Sequence, residues 1–284
     1  MDGTEGLTRF PLARRGMIMT SLISGFTLAV TAVEAQVIHT DTIGIAGGEV
    51  KIPVSDGEMP GYASKPNGPG PFPIILVNEE IFGVHEHIKD LCRRLAKAGY
   101  LAVAPEIYAR QGDLSKMTDV SQIVSQVISK KPDAEMLSDL DAAVAWAGNN
   151  GGDLNRLGVI GFCRGGRNTW LYDAHNPRVK AAVAWYGPVK GATSDIQPKT
   201  ATDVASTLNA PLLGLYGGQD TSIAVPDVET AATIARTAGK TVEIHLYGDA
   251  PHGFNADYRP SYKKADAEDG WARMLAWLKK YGVA

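Results

Sequence analysis

Two hydrophobic periods alternate along the chain. From Val37 to about Ala63, "VIHTDTIGIAGGEVKIPVSDGEMPGYA" alternates β-branched and polar residues around Gly47-Gly48, which predicts an antiparallel strand pair at a sheet edge. After the turn-rich "SKPNGPGP" the pattern changes: "FPIILVN" is a short unbroken apolar run, as expected of a strand covered on both faces. In "HEHIKDLCRRLAKAGY", Ile88, Leu91, Cys92, Leu95 and Ala96 recur at helical spacing and Gly99 supplies a stop. Cys92 falls on that apolar stripe and reads as a packed small hydrophobe. "YLAVAPEIY" reads as a strand, Gln111 to about Asp133 as a polar stretch, and "AEMLSDLDAAVAWAG" as a helix with Met136, Leu140, Ala143, Val144 and Ala147 on one face.

Four more buried-type strands follow in "RLGVIGFC", "VKAAVAWYG", "APLLGLYGG" and "TVEIHLYG". Helical segments "GGRNTWLYDAH" and "VPDVETAATIARTAG" follow the first and third, and a closing helix runs from about Tyr262 to Tyr281. Strands alternating with helices require right-handed crossovers, so the expected fold class is α/β, a mostly parallel central sheet with helices on both faces. There is no internal repeat and no linker rich in Pro, Gly or Ser. Residues 36–284 are therefore expected to form one domain.

Composition narrows the partners. A 284-residue chain with 44% hydrophobic and 21% charged residues can bury a sizeable core. A formal net charge of -3 lacks the basic excess of a nucleic-acid binder, so a small-molecule partner is expected and no nucleic acid. The two cysteines, Cys92 and Cys163, lack zinc-site spacing. His85 and His87, two residues apart, do not share a helix face, and His39, His175 and His245 have no chemical setting of note. No phosphate-cradling glycine loop is present, so neither cofactor nor metal is expected.

The first 35 residues differ from the rest. Basic "RFPLARR" precedes "GMIMTSLISGFTLAVTAV", and "VEA" offers a cleavage site before Gln36. That is the order of a secretory signal, and Arg14-Arg15 gives it a twin-arginine character despite Ala13 and Met17 flanking the pair. The expectation is export to the periplasm with no membrane span left after cleavage, or a cytoplasmic location if the signal does not function. A membrane anchor or a buried helix is the alternative, and the polar interruptions disfavour the anchor.

The chemistry centres on "GVIGFCRGG". It places Cys163 at the carboxyl end of a strand, where ligands gather in such sheets, in a G-x-nucleophile-x-G elbow framed by Gly161 and Gly165. Glycine is needed there because side chains would collide with the neighbouring strand and helix. The following helix N-terminus favours a thiolate. "LYGGQD" ends a later strand with Asp220 and "YGDAPHGF" the next with His252. Nucleophile, acid, histidine is the chain order of an α/β-hydrolase triad, with His252 as base and Asp220 fixing its tautomer. An inert buried Cys163, a turn Asp220 and a loop His252 are the plainer alternatives.

Together "GFCRGG", "LVNEEIFGVHEHIKDLCRRLAKAGYLAVAPEIYARQG", "WYG", "LYGGQD" and "APHGFNADYRPSY" resemble the dienelactone hydrolase family from about Gly44 to the C-terminus. The resemblance implies an α/β-hydrolase fold, hydrolysis of a carboxylic ester or lactone through a thioester, and the triad Cys163, His252 and Asp220. It implies that Glu80 holds the resting thiol and swings on substrate binding to help generate the thiolate, with Glu79 uninvolved. It maps the oxyanion donors to the backbone amides of Ile81 and Arg164. For the substrate pocket it points to Tyr186 in "WYG" and Tyr108 in "YAR". Family members that process dienelactone hold its carboxylate with two arginines. Here the position four beyond His252 is Ala256 and residues 111–130 contain no arginine, so Arg259 or Lys116 is the substitute from a shifted position. The segment after Arg110 is expected to cover the pocket. Thioester hydrolysis, acyl transfer or peptidase chemistry on the same triad remains open, as do a binding protein on this scaffold and a thiol redox role for Cys163. Oligomeric state is not legible.

Overall fold

The computed structural model describes residues 37–284; the expected export signal lies outside them. The strands are β1 (Ile45–Val54), β2 (Gly57–Pro66), β3 (Phe72–Asn78), β4 (Leu101–Pro105), β5 (Gly152–Phe162), β6 (Val179–Trp185), β7 (Leu212–Gly217) and β8 (Val242–Tyr247). The principal helices are α1 (Glu86–Lys97), α2 (Asp133–Asn149), α3 (Arg164–His175), α4 (Val225–Thr237) and α5 (Lys264–Lys280). All eight strands form one sheet in the order β1-β2-β4-β3-β5-β6-β7-β8. The β1–β2 and β2–β4 pairs are antiparallel, and every other pair is parallel.

The central strands carry the unbroken apolar runs because both faces are covered: Ile74, Ile75, Leu76 and Val77 of β3 and Val159 and Ile160 of β5 are fully buried. α1 buries Ile88, Leu91, Cys92 and Leu95 against the sheet, and burial pushes the Cys92 thiol well above the usual range. α5 packs on the same face, with Met274 and Leu278 buried and Leu278 against Gly158 of β5.

Three details differ from the pattern-based reading. The β1–β2 turn falls between Val54 and Gly57, not at Gly47-Gly48; Gly47 pairs with Ser64, and a Cβ on it would lie 2.8 Å from Ser64 Oγ. β5 begins at Gly152 rather than near Arg156, with a register shift against β3 between Pro73 and Ile74. The polar stretch of residues 111–132 contains short helical turns: a 3-10 turn at Leu114–Lys116, one α-turn at Val120–Gln122 capped by Asp119, a π-turn at Ile123–Val127 and a 3-10 turn at Ile128–Lys130. Ile123, Val127 and Ile128 turn inward, and the Ser and Gln residues between them mask the periodicity. No helix among the described residues is long and apolar enough to cross a membrane.

Candidate active site

β5 ends at Phe162 and α3 begins at Arg164, so the turn between them is Cys163 alone, at φ 53° and ψ -120°. A non-glycine residue there costs about 1–3 kcal/mol, and the surroundings enforce it. Cys163 N–H donates to Trp185 O at 3.1 Å and Gly166 N–H to Cys163 O at 2.9 Å. A Cβ on Gly161 would sit 2.1 Å from Gly165 O, and one on Gly165 would sit 2.3 Å from Asn78 O and 2.5 Å from Glu79 O. The first turn of α3 therefore lies backbone to backbone on the end of β3. The Cys163 thiol is free and half-buried at the helix N-terminus.

The next two strand ends are fastened in the same way. A Cβ on Gly217 would meet Ala250 O at 2.3 Å, and one on Gly218 would meet Gly248 O at 2.5 Å. This close approach joins the loops after β7 and β8. His252 Nδ1–H donates to Asp220 Oδ2 at 2.7 Å, leaving Nε2 as the nitrogen free for proton exchange. Asp220 Oδ1 accepts from Ser222 N–H at 2.8 Å, Ser222 Oγ–H at 2.6 Å and Ile223 N–H at 3.1 Å. Burial would raise the Asp220 carboxyl, but His252 and Ser222 hold it below the usual range. Burial would lower the His252 imidazole, but Asp220 and the Cys163 sulfur outweigh it and push it up to about 10. Ser222 was not singled out in the sequence; "DTS" two residues after the acid is a turn signal that points to it.

Tyr186 also has a positive φ, 36°, and its N–H donates to Leu215 O at 2.8 Å. Its ring meets the His252 ring edge-on at 5.2 Å. Its hydroxyl is buried without a partner, and burial, then the negative charges of Glu80 and Cys163, push it well above the usual range.

Glu80 lies in the turn after β3 and is fully buried. Its Oε2 accepts from Tyr258 Oη–H at 2.7 Å and faces His85 Nε2 at 3.3 Å. Burial alone would raise its carboxyl, but His85, His87 and Tyr258 hold it at about 2. Among the described residues no hydrogen bond joins Glu80 to Cys163. The Ile81 backbone lies in the same turn and the Arg164 N–H in the first turn of α3, where no intrahelical acceptor exists. The sequence pattern does not mark Tyr258 or His85 as partners of Glu80. Both stand in the stretches "ADYRPSY" and "IFGVHEH", but no local spacing ties either to Glu80.

The remaining pocket residues are scattered. Tyr108 is buried, and its hydroxyl accepts from Asn168 Nδ2 at 3.3 Å. The Arg259 guanidinium lies 5.7 Å from the centre of the Phe82 ring and has no carboxylate partner among the described residues. Lys116 pairs with Asp113 at 2.7 Å on the surface, and Ala256 is buried. Arg164 Nη2 reaches Gln197 Oε1 at 2.8 Å, whose Nε2 donates to the carbonyls of Ile128 and Lys131, so the 111–132 segment is tied to the elbow. Glu79, next to Glu80, is fully buried. Both its oxygens are buried without partners, and burial and nearby Glu106 raise its carboxyl well above the usual range. It lines a cavity of about 380 Å³ with Glu106, Tyr108 and Leu114. Among the described residues no group of three or more His, Cys, Asp and Glu could hold a metal ion.

A mostly parallel eight-stranded sheet with an elbow after β5 and acid and histidine after β7 and β8 defines an α/β-hydrolase. The acylaminoacyl peptidase of Pyrococcus horikoshii shares this fold at a TM-score of 0.67 with 16% identity, over 84% of this chain and 42% of that one. The chain belongs to the dienelactone hydrolase family, whose pattern matches residues 59–282, and it is a hydrolase. It is 58% identical over 275 residues to a Methylorubrum extorquens protein named "Putative carboxymethylenebutenolidase", covering 96% of this chain and 94% of that protein. An Escherichia coli protein of the same name is 52% identical over 93% of this chain and 97% of its own length. The crystal structure of the "Putative Dienelactone Hydrolase" of Klebsiella pneumoniae superposes with a TM-score of 0.82 and 54% identity, over 84% of this chain and 99% of that one.

Proposed function

We propose that this chain hydrolyses carboxylic esters or lactones through a thioester formed on Cys163. The observation that carries the reading is the free, half-buried thiol in a strained turn at a helix N-terminus, with the hydrogen-bonded pair His252 and Asp220 supplied by later strand ends of the same sheet. In the proposed reaction the thiol proton passes to His252 Nε2 and the thiolate adds to the carbonyl carbon. Negative charge collects on the carbonyl oxygen, where the Ile81 and Arg164 amides donate to it. Collapse breaks the bond to the alkoxy oxygen, which takes the proton from His252. The imidazole then removes a proton from water, which attacks the thioester and releases the acid and the thiol. Asp220 holds the Nδ1–H tautomer throughout.

The Arg259 guanidinium, unpaired with any described carboxylate, suits a substrate that carries a carboxylate beside its ester or lactone. The deciding experiment is hydrolysis of dienelactone and short-chain aryl esters by the wild type and Cys163→Ala, with intact mass of the quenched wild type. The variant is expected to lose about 10⁴-fold or more of kcat/KM, and the wild type to show an acyl adduct on Cys163. Equal rates in both proteins would overturn the thioester route.

A further inference from the structure

The carboxylate of Glu80 is gripped from two elements. Tyr258 comes from the loop after His252 and donates at 2.7 Å, and His85, just before α1, approaches the same oxygen at 3.3 Å. Tyr258 has little freedom to leave. Its ring packs against the rings of His85 at 4.8 Å and His87 at 5.4 Å. Its neighbour Asp257 is bound to His87 Nδ1 at 3.0 Å, to Arg94 Nη2 at 2.6 Å and to Ile38 N–H at 3.3 Å. The other Glu80 oxygen, Oε1, is buried with no partner. The chain entering Glu80 lies against the elbow of Cys163, since a Cβ on Gly165 would sit 2.3 Å from Asn78 O and 2.5 Å from Glu79 O.

A buried carboxylate freed from its donors takes the next one it meets, and the Cys163 thiol on the adjoining strand end is a donor it could take. We propose that Tyr258 and His85 are positioning residues that hold the Glu80 carboxylate off the Cys163 thiol, so that the thiol pairs with His252 before any substrate arrives. The inference rests on Cys163 being the nucleophile. It differs from the behaviour the family resemblance implies, in which Glu80 holds the resting thiol until substrate displaces it. Here the carboxylate already has its partners in the free protein.

The test is the rate at which iodoacetamide alkylates Cys163 at pH 7 without substrate, followed by intact mass, with Cys163→Ala as the blank for buried Cys92. It is run on the wild type, Tyr258→Phe, His85→Gln, Glu80→Gln and the two doubles with Glu80→Gln, alongside kcat and KM on the best ester. Loss of a hydrogen bond to a charged group is worth about tenfold, so Tyr258→Phe is expected to slow alkylation and kcat on the order of tenfold with KM unchanged. His85→Gln is expected to slow them roughly threefold, since its contact with the carboxylate is longer. Adding Glu80→Gln must return each variant to the rate of Glu80→Gln alone, because an amide does not compete for the thiol as a carboxylate does. Wild-type alkylation rates in folded Tyr258→Phe, or a slow rate that persists in the doubles, would overturn the proposal. If Tyr258→Phe fails to fold, the His85→Gln pair decides it by the same criteria. Alkylation reads the thiol whether or not it turns over substrate, so failure of the thioester route appears separately, in the Cys163→Ala rates.

Discussion

Two neighbouring strand-to-helix turns build this site in opposite ways. The turn between β5 and α3 is held by backbone against backbone: Cys163 is aimed because Gly161, Gly165 and the end of β3 leave it nowhere else to go. The turn between β3 and α1 carries a charged side chain, Glu80, and is held by other side chains drawn from the loop after β8 and the start of α1. The first is steric and local, and the second electrostatic and long-range. A steric turn has one solution and fails abruptly, whereas an electrostatic turn can be loosened one partner at a time.

The largest expected effect lies on the steric side. Gly165→Ala drives a methyl group to 2.3 Å from Asn78 O, where neither backbone can yield without shifting β3 or α3. It is expected to cost about 3 kcal/mol or more, or to prevent folding, when stability is measured by urea unfolding. Gly191→Ala is the control, since nothing lies within 4 Å of its added Cβ, and it is expected to stay within about 0.5 kcal/mol of wild type. Equal stability of the two variants would break the contrast between the turns.

The same contrast explains what the sequence made legible. Alternating apolar runs and helical stripes revealed the α/β fold because burial on both faces writes itself into consecutive residues such as Ile74 to Val77. The elbow was readable because close backbone packing demands glycine on both sides of Cys163. Asp220 and His252 could be paired because each ends a strand and strand ends share one edge of the sheet. The partners of Glu80 were not readable: Tyr258 is 178 residues away, and nothing local in "ADYRPSY" distinguishes its tyrosine from a surface one. His87 likewise looked unremarkable and is a buried partner of Asp257 from 170 residues away. The short helical turns of residues 111–132 were hidden by serines and glutamines lying between the inward apolar positions.

The middle effect probes the support behind the electrostatic turn. Asp257→Asn removes the carboxylate that binds both His87 and Arg94, although Arg94 keeps Asp90 Oδ2 at 2.6 Å. With that second partner retained, the loss is expected to be about 2–3 kcal/mol, below the usual figure for a broken buried pair. Burial would raise the Asp257 carboxyl, but His87 and Arg94 hold it below the usual range. A depressed folded-state value means that the stabilisation is present above the unfolded value near 3.9 and is lost as pH falls through the folded one. The stability gap between wild type and Asp257→Asn is therefore expected to be constant from pH 5 to 7 and to shrink below about pH 4. A gap unchanged at pH 3 would mean that Asp257 supports the loop through shape rather than charge.

The smallest effect has the opposite sign with pH and belongs to the steric turn's own charge pair. His252 is pushed up to about 10 in the fold, against roughly 6.5 for a free histidine. A raised value contributes stability that is fully present below about pH 6.5 and drains away as pH climbs toward 10. The stability gap between wild type and His252→Gln, measured by urea unfolding, is therefore expected to narrow steadily from pH 6.5 to 10. Part of that elevation comes from the Cys163 sulfur, so the narrowing should be smaller and complete at a lower pH when the same pair is compared in a Cys163→Ala background. If the gap does not change with pH in either background, His252 is uncharged in the resting protein.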